Sequence, residues 1–292
     1  MTQLPILDIA NFQKQKEIEG FYTDHLTNHL TIHDREINIP HKHNFYLTIL
    51  FTRGHGTHEV DFDSYQIEPG SLFLLNPGQT HHWELSPDIE GYIFIHSQAF
   101  FDLPSTTIEV NNFPFFYSTQ NSPCLVLNHS DLASFTSNFQ LLVDEYQHSA
   151  RMKAEKIHSI IQLIYIDTSR LYLEEESSTL TNKYNYAQRT KELEHLIERH
   201  YLTDKSANFY ADQMNVSSKH LNRITRQTLN KTTSALIAER IILEAKRMLV
   251  HADLSLNEIS QHLGYEDYAY FSRLFKKHCE ESPSQFQSRY KF

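Results

Sequence analysis

Two arginines, Arg223 and Arg273, stand 50 positions apart, and each follows a large apolar residue, Leu221 or Phe271, by two. Residues two apart on a helix point to opposite sides, so burying the apolar residue turns the guanidinium outward. A guanidinium offers a planar fork of donors that fits a guanine edge or a phosphate. Lys276 and Lys277 follow Arg273, and Arg226 follows Arg223, so both stretches are apolar on one side and basic on the other. By themselves such faces are either ordinary solvated surface or, where they meet a partner, suited to recognising a polyanion rather than to making bonds.

Such side chains need rigid elements beneath them. The stretches FYADQMNVSSKHLNRITRQTLNKTT and EISQHLGYEDYAYFSRLFKKHCEES align as a repeat. Ala211 and Ser260 lie 49 positions apart, as do Asn215 and Gly264. A helix-turn-helix needs a small residue within its first helix for close crossing, and a residue tolerant of left-handed backbone in its turn. Leu221 and Ile224 then fall where the second helix buries its inner face. Phe271 and Leu274 reach the same places one residue later, which predicts a turn one residue longer in the second unit. Between the units, SALIAERIILEAKRMLV (234–250) predicts a helix of about 17 residues, ~25 Å long. A rod of that length suits two recognition helices about one duplex turn, ~34 Å, apart on one face of DNA. Ser282-Pro283 reads as an N-cap and first position of a last helix.

Charge is divided along the chain. The formal total is −10, but residues 186–292 carry 16 Lys/Arg and 13 Asp/Glu, a net of +3, leaving −13 for the remainder. The C-terminal part is the one able to approach a polyanion.

Upstream, FYLTILF sets Phe45, Leu47, Ile49 and Phe51 on one face of a strand. A strand through Val60 and Phe62 with a turn at Asp63-Ser64, then SLFLL and GYIFI, are further short strands between turn signals, as in an all-β barrel or sandwich. From Asp131 the period becomes helical. Leu132, Phe135, Phe139, Leu142, Val143 and Tyr146 form one stripe, and Ile157, Ile160, Ile161, Ile164, Thr168 and Leu171 another. Such a pair either covers the barrel or also dimerises. EEESSTLTNK (174–183) lacks apolar periodicity and reads as a linker.

Cys124 and Cys279 are the only cysteines, without metal-ligand spacing, which fits a reducing cytoplasm. No signal peptide is visible at the N-terminus, and no apolar run approaches the ~20 residues of a membrane span.

LNRITRQ, SLNEISQHLGY, YFSRLFKK and SPSQF together resemble the DNA-binding domain of AraC/XylS-type transcriptional regulators, over about residues 187–292. The family pattern has Gly where Glu280 and Asn230 stand, and Phe where Thr225 stands. The resemblance implies that Lys219, Asn222 and Arg223 of the first unit face bases or nearby phosphates, as do Tyr268, Ala269, Ser272 and Arg273 of the second. It gives Arg226, Lys276 and Lys277 to phosphates. HKHNFYLTILFTRG and EPGSLFLLNPGQTHHW resemble the two motifs of the cupin barrel, over roughly residues 25–100. In metal cupins these motifs supply His, His, Glu and His. His41, His43 and His81 occupy the histidine positions, whereas Leu47 replaces the Glu, so a metal-free pocket is expected.

The fold expected is therefore an α+β multidomain chain. Residues 1–173 form a cupin-like sensing and dimerisation barrel with a helical pair, 174–186 a linker, and 187–292 an all-α double helix-turn-helix domain. The function expected is a cytoplasmic, homodimeric transcription regulator, by family an activator and so a partner of RNA polymerase. It binds double-stranded DNA and a small-molecule effector, the latter at His41, His43, His81 and Trp83, and needs no cofactor. The alternative is a metal-dependent cupin enzyme with an accessory helical domain.

Overall fold

The computed structural model describes residues 5–12, 18–37, 39–102, 108–117, 121–174, 182–252 and 254–290. The chain divides into two compact units, Leu4–Glu176 and Ser177–Phe292.

The first unit is built from ten strands: β1 (Ile6–Leu7), β2 (Phe21–His25), β3 (His41–His43), β4 (Tyr46–Arg53), β5 (Gly56–Val60), β6 (Asp63–Ile67), β7 (Ser71–Leu75), β8 (Thr80–Leu85), β9 (Glu90–His96) and β10 (Cys124–Val126). They make two five-stranded sheets, in the orders β1-β3-β8-β5-β6 and β10-β7-β4-β9-β2. Strand β4 shows why both of its faces are apolar. Leu47, Ile49 and Phe51 point inward to a core shared with Val60, Ile67 and Trp83 of the other sheet. Tyr46 and Leu50 point the other way, into a second core under the helices. The turn between β5 and β6 is Asp61-Phe62 rather than the expected Asp63-Ser64. Asp61 takes a left-handed φ of 55°, and its carboxylate accepts the Thr80 backbone N–H at 3.2 Å and the Gln79 amide at 3.1 Å.

Helix α1 (Leu26–Ile37) and the short helices α2 (Gln98–Phe101) and α3 (Pro114–Tyr117) precede the long pair α4 (His129–Gln147) and α5 (Lys153–Glu174). Asn128 caps α4 by accepting the Ser130 and Asp131 N–H groups. The two predicted stripes cover the outer face of the second sheet: Phe135, Phe139 and Leu142 from α4, and Ile157, Ile160, Ile161 and Ile164 from α5. Tyr165 is the central polar tie, its hydroxyl 2.8 Å from His96 Nε2 and 3.2 Å from Thr48 Oγ1.

The second unit is wholly helical among the described residues: α6 (Asn182–His200), α7 (Ala207–Gln213), α8 (Ser218–Leu229), α9 (Thr233–His251), α10 (Leu256–His262), α11 (Tyr268–Cys279) and α12 (Pro283–Tyr290). Of the expected linker, residues 175–181 lie outside the described residues, and α6 begins at Asn182, ahead of the expected domain start at 187. The spacer helix α9 has 19 residues, two more than the periodicity predicts, because Thr232 caps it one position earlier and it runs on to His251. Arg240 of α9 is buried against α6, gripping Glu198 with two nitrogens, at 2.5 and 2.9 Å. Its guanidinium also lies 4.0 Å from the centre of the Tyr201 ring.

Candidate nucleic-acid interface and the histidine-lined interior

The repeat is realised residue by residue. Helices α7 and α10 each have 7 residues, and α8 and α11 each have 12. The connection from Met214 to Ser217 has four residues and that from Leu263 to Asp267 has five, the expected extra one. Ala211 and Ser260 are both buried, which lets each second helix cross close to the first. Asn215 and Gly264 take left-handed φ values of 52° and 74°. A Cβ on Gly264 would sit 2.4 Å from the Leu202 carbonyl oxygen, so only glycine fits there.

Each second helix starts on a side-chain cap. Ser217 Oγ accepts the His220 N–H at 3.2 Å, and Asp267 Oδ1 accepts the Ala269 N–H at 2.7 Å. Their inner faces bury Leu221, Ile224 and Thr225 in one case, and Phe271 and Phe275 in the other. Leu274, expected inside, is only half-buried. The extra turn residue shifts the contact, and Phe275 fills the core beside Phe286 with ring centres 5.5 Å apart.

Lys219, Arg223, Arg226, Ala269, Arg273, Lys276 and Lys277 are exposed. The cations among them make no ion pair with the described residues, unlike Arg240 and Arg289 of the same unit, which do. Tyr268 and Ser272 are half-buried at the edge of this surface. Asn222 is half-buried too, and its Oδ1 accepts the Thr233 backbone N–H at 3.0 Å, anchoring the start of α9. Two neighbours lay outside the sequence reading. Tyr270 is 55% exposed on α11 between Ala269 and Phe271. His220 Nδ1 lies 2.7 Å from Arg223 Nη2; its position three residues before Arg223 on a helix is the signal that could have found it.

In the first unit, His41, His43, His81 and Trp83 are brought together, and all are buried. Cross-strand register does this. His41 faces His81 across β3 and β8, and His58 faces Trp83 across β5 and β8. His81 is the hub, its ring centre 4.3 Å from His41, 5.2 Å from His43 and 5.2 Å from Trp83. His58, fully buried and missed in the sequence, completes the cluster with Nε2 at 3.0 Å from His81 Nδ1. The signal was its alternation with inward Val60 on β5. Burial pushes His43 and His58 down to about 3 and holds His81 well below the usual histidine range, and the neighbouring imidazoles add to the effect. Burial lowers His41 as well. The cluster is therefore neutral. Leu47, at the place a metal cupin gives to Glu, is buried in this interior. Among the described residues, no group of three or more His, Cys, Asp or Glu is arranged to hold a metal ion.

Comparisons with known proteins address both units. Residues 29–161 match the model of the AraC-like ligand binding domain, and residues 210–289 that of a helix-turn-helix domain. The arabinose operon regulatory protein of Escherichia coli K12 is 22% identical over 245 residues, covering 83% of this chain and 80% of that protein. The HTH-type transcriptional activator RhaS of Escherichia coli O157:H7 is 22% identical over 247 residues, covering 83% and 85%. Among solved structures, ToxT from Vibrio cholerae aligns over 94% of this chain and 100% of its own, with 14% identity and a TM-score of 0.42. Among the described residues, no helix is long and apolar enough to cross a membrane.

Proposed function

The chain belongs to the AraC/XylS-type family of transcriptional regulators, and from that premise we propose how its parts divide the work. Helices α8 and α11 enter successive major grooves of double-stranded DNA. Arg223 and Arg273 read base edges, with Lys219, Ala269, Tyr268 and Ser272 beside them. Arg226, Lys276 and Lys277 hold phosphates and fix the register without reading sequence. Asn222, tied to the start of α9, sets the pose of α8 and meets DNA only where its amide nitrogen is free. The observation carrying this reading is the repeated geometry: two capped helices of equal length, each exposing cations that form no ion pair with the described residues, opposite a buried apolar face.

The strand-built unit takes up a small-molecule effector at His41, His43, His81 and Trp83. Residues 1–173 act as sensor and dimerisation domain, 174–186 as connector and 187–292 as DNA-binding domain. Helices α4 and α5 are the face assigned to the homodimer, since Leu141 and Leu163 stay 43% and 46% exposed on them. The effector shifts DNA affinity only by its differential affinity for two arrangements of the chain. The outcome is activation of transcription through RNA polymerase in the cytoplasm. The relatives described above are transcription regulators, and nothing among them favours the enzyme alternative.

The test is selection of bound duplexes from a random pool at fixed salt, using the full chain and its Arg223→Ala and Arg273→Ala variants. Each variant is expected to lose ~1–3 kcal/mol on the selected site and to relax preference at a different base pair. Equal losses on selected and random duplex would remove base reading from that residue.

A further inference from the structure

The histidine cluster carries more chemistry than burial alone reveals, because hydrogen-bond geometry fixes which nitrogen bears the proton in two of its rings. His43 Nδ1 lies 2.7 Å from the Phe45 carbonyl oxygen, and His41 Nδ1 lies 2.9 Å from the Ile39 carbonyl oxygen. A carbonyl only accepts, so in both neutral rings the proton sits on Nδ1 and Nε2 is a bare lone pair. His43 Nε2 is buried without a partner. His58 and His81 share one hydrogen bond between them, and His58 Nδ1 is likewise buried without a partner. Phe45 stacks on His43 at 4.7 Å, Phe73 lies 4.4 Å from His58, and Trp83 lies 5.5 Å from His58 between ring centres. The charged or titratable neighbours that interact with the cluster from outside include Asp61, His82 and His29.

An unmet buried acceptor is expensive, and folding tolerates it where a ligand supplies the missing donor. We propose that the effector is a small uncharged or cationic molecule bearing hydroxyl or amine hydrogens, which it donates to His43 Nε2 and its neighbour His41 Nε2. A carboxylate would set its own lone pairs against theirs. The aromatic walls take the carbon skeleton of the same molecule. This inference rests on the effector reading above and narrows it to a chemical class.

The test uses the full chain and a matched panel at fixed ionic strength: xylitol, glucose, putrescine and agmatine as donors, succinate and dimethoxyethane as acceptor-only controls, and zinc chloride alone. Thermal shift and equilibrium titration are followed by DNA affinity with and without each binder. His43→Asn keeps a donor near the Nδ1 position but removes the Nε2 lone pair, whereas His43→Gln keeps a polar atom near Nε2. At least one donor compound is expected to raise the wild-type midpoint. Its affinity should fall tenfold or more in His43→Asn and be partly restored in His43→Gln. Stabilisation only by succinate, dimethoxyethane or zinc overturns the proposal, as does a panel with no response or binding that His43→Asn leaves intact. Independently of any variant, ¹⁵N-histidine spectra of the wild type should show the Nδ1–H tautomer at His43, and an Nε2–H tautomer overturns it. If succinate binds and alters DNA affinity, the effector reading stands while this class falls. If a donor compound binds through His43 and DNA affinity does not move, the class stands while the regulatory reading falls.

Discussion

The two helix-turn-helix units share a plan and differ in what holds them. In the second, an aromatic chain runs from Tyr265 through Phe271 and Phe275 to Phe286 and Tyr290, with successive ring centres 5.0 to 6.0 Å apart. In the first, Thr225 occupies the place of Phe275, and polar anchors do part of the holding. Thr228 bonds Thr190 at 2.8 Å, and Asn222 bonds the start of α9. One repeat is stiffened by buried area and the other by directed hydrogen bonds. The lesson is that a recognition helix needs a fixed pose, and either physical device supplies it.

The paired positions can break this comparison. The largest effect is expected from Phe275→Ala, ~3–5 kcal/mol in denaturant unfolding, against about 1–2 kcal/mol for Thr225→Ala. Equal losses would show that the two cores do not differ. Next, Gly264→Ala should cost ~2–3 kcal/mol, since its Cβ would strike backbone at a left-handed residue, whereas Asn215→Ala should cost about 1 kcal/mol. A mild Gly264→Ala would mean that this turn relaxes freely.

Smaller effects sharpen it. Both second helices end on a left-handed residue, Asn230 at φ 53° and Glu280 at φ 62°. Glu280→Gly should therefore raise stability by ~1 kcal/mol, and Asn230→Gly by only a few tenths, because asparagine tolerates this region better. Comparable gains at both would deny the difference. Last, Lys276→Ala and Arg226→Ala should each shallow the salt dependence of DNA binding by about one in slope, without changing the selected sequence. A changed sequence preference would move that residue from phosphate to base.

Much of the second unit was legible beforehand. The small, left-handed and capping positions act within one turn of chain, so Asn215, Gly264 and the longer second turn could be read from spacing. Asn222 could not. Its amide turns to Thr233, eleven residues on, and only the crossing of two helices brings them together. The same holds for Leu274 and Phe275, whose exchange depends on where α12 delivers Phe286.

In the first unit, alternation revealed Phe45, Leu47, Ile49 and Phe51 as one face, and motif resemblance singled out His41, His43, His81 and Trp83. His58 escaped because its alternation with Val60 marks it only as inward-facing, not as a neighbour of the other imidazoles. The register of β5 against β8 carries it into the cluster.

By itself, then, the sequence determined the repeat, its turns and caps, the division into a strand-built and a helical part, and the separation of charge between them, because each follows from forces acting over a few residues. Tertiary structure alone decided which imidazoles share an interior, which of their nitrogens lack a partner, and which polar side chains stay exposed or turn to a neighbouring helix. Those outcomes depend on partners that packing delivers from distant segments.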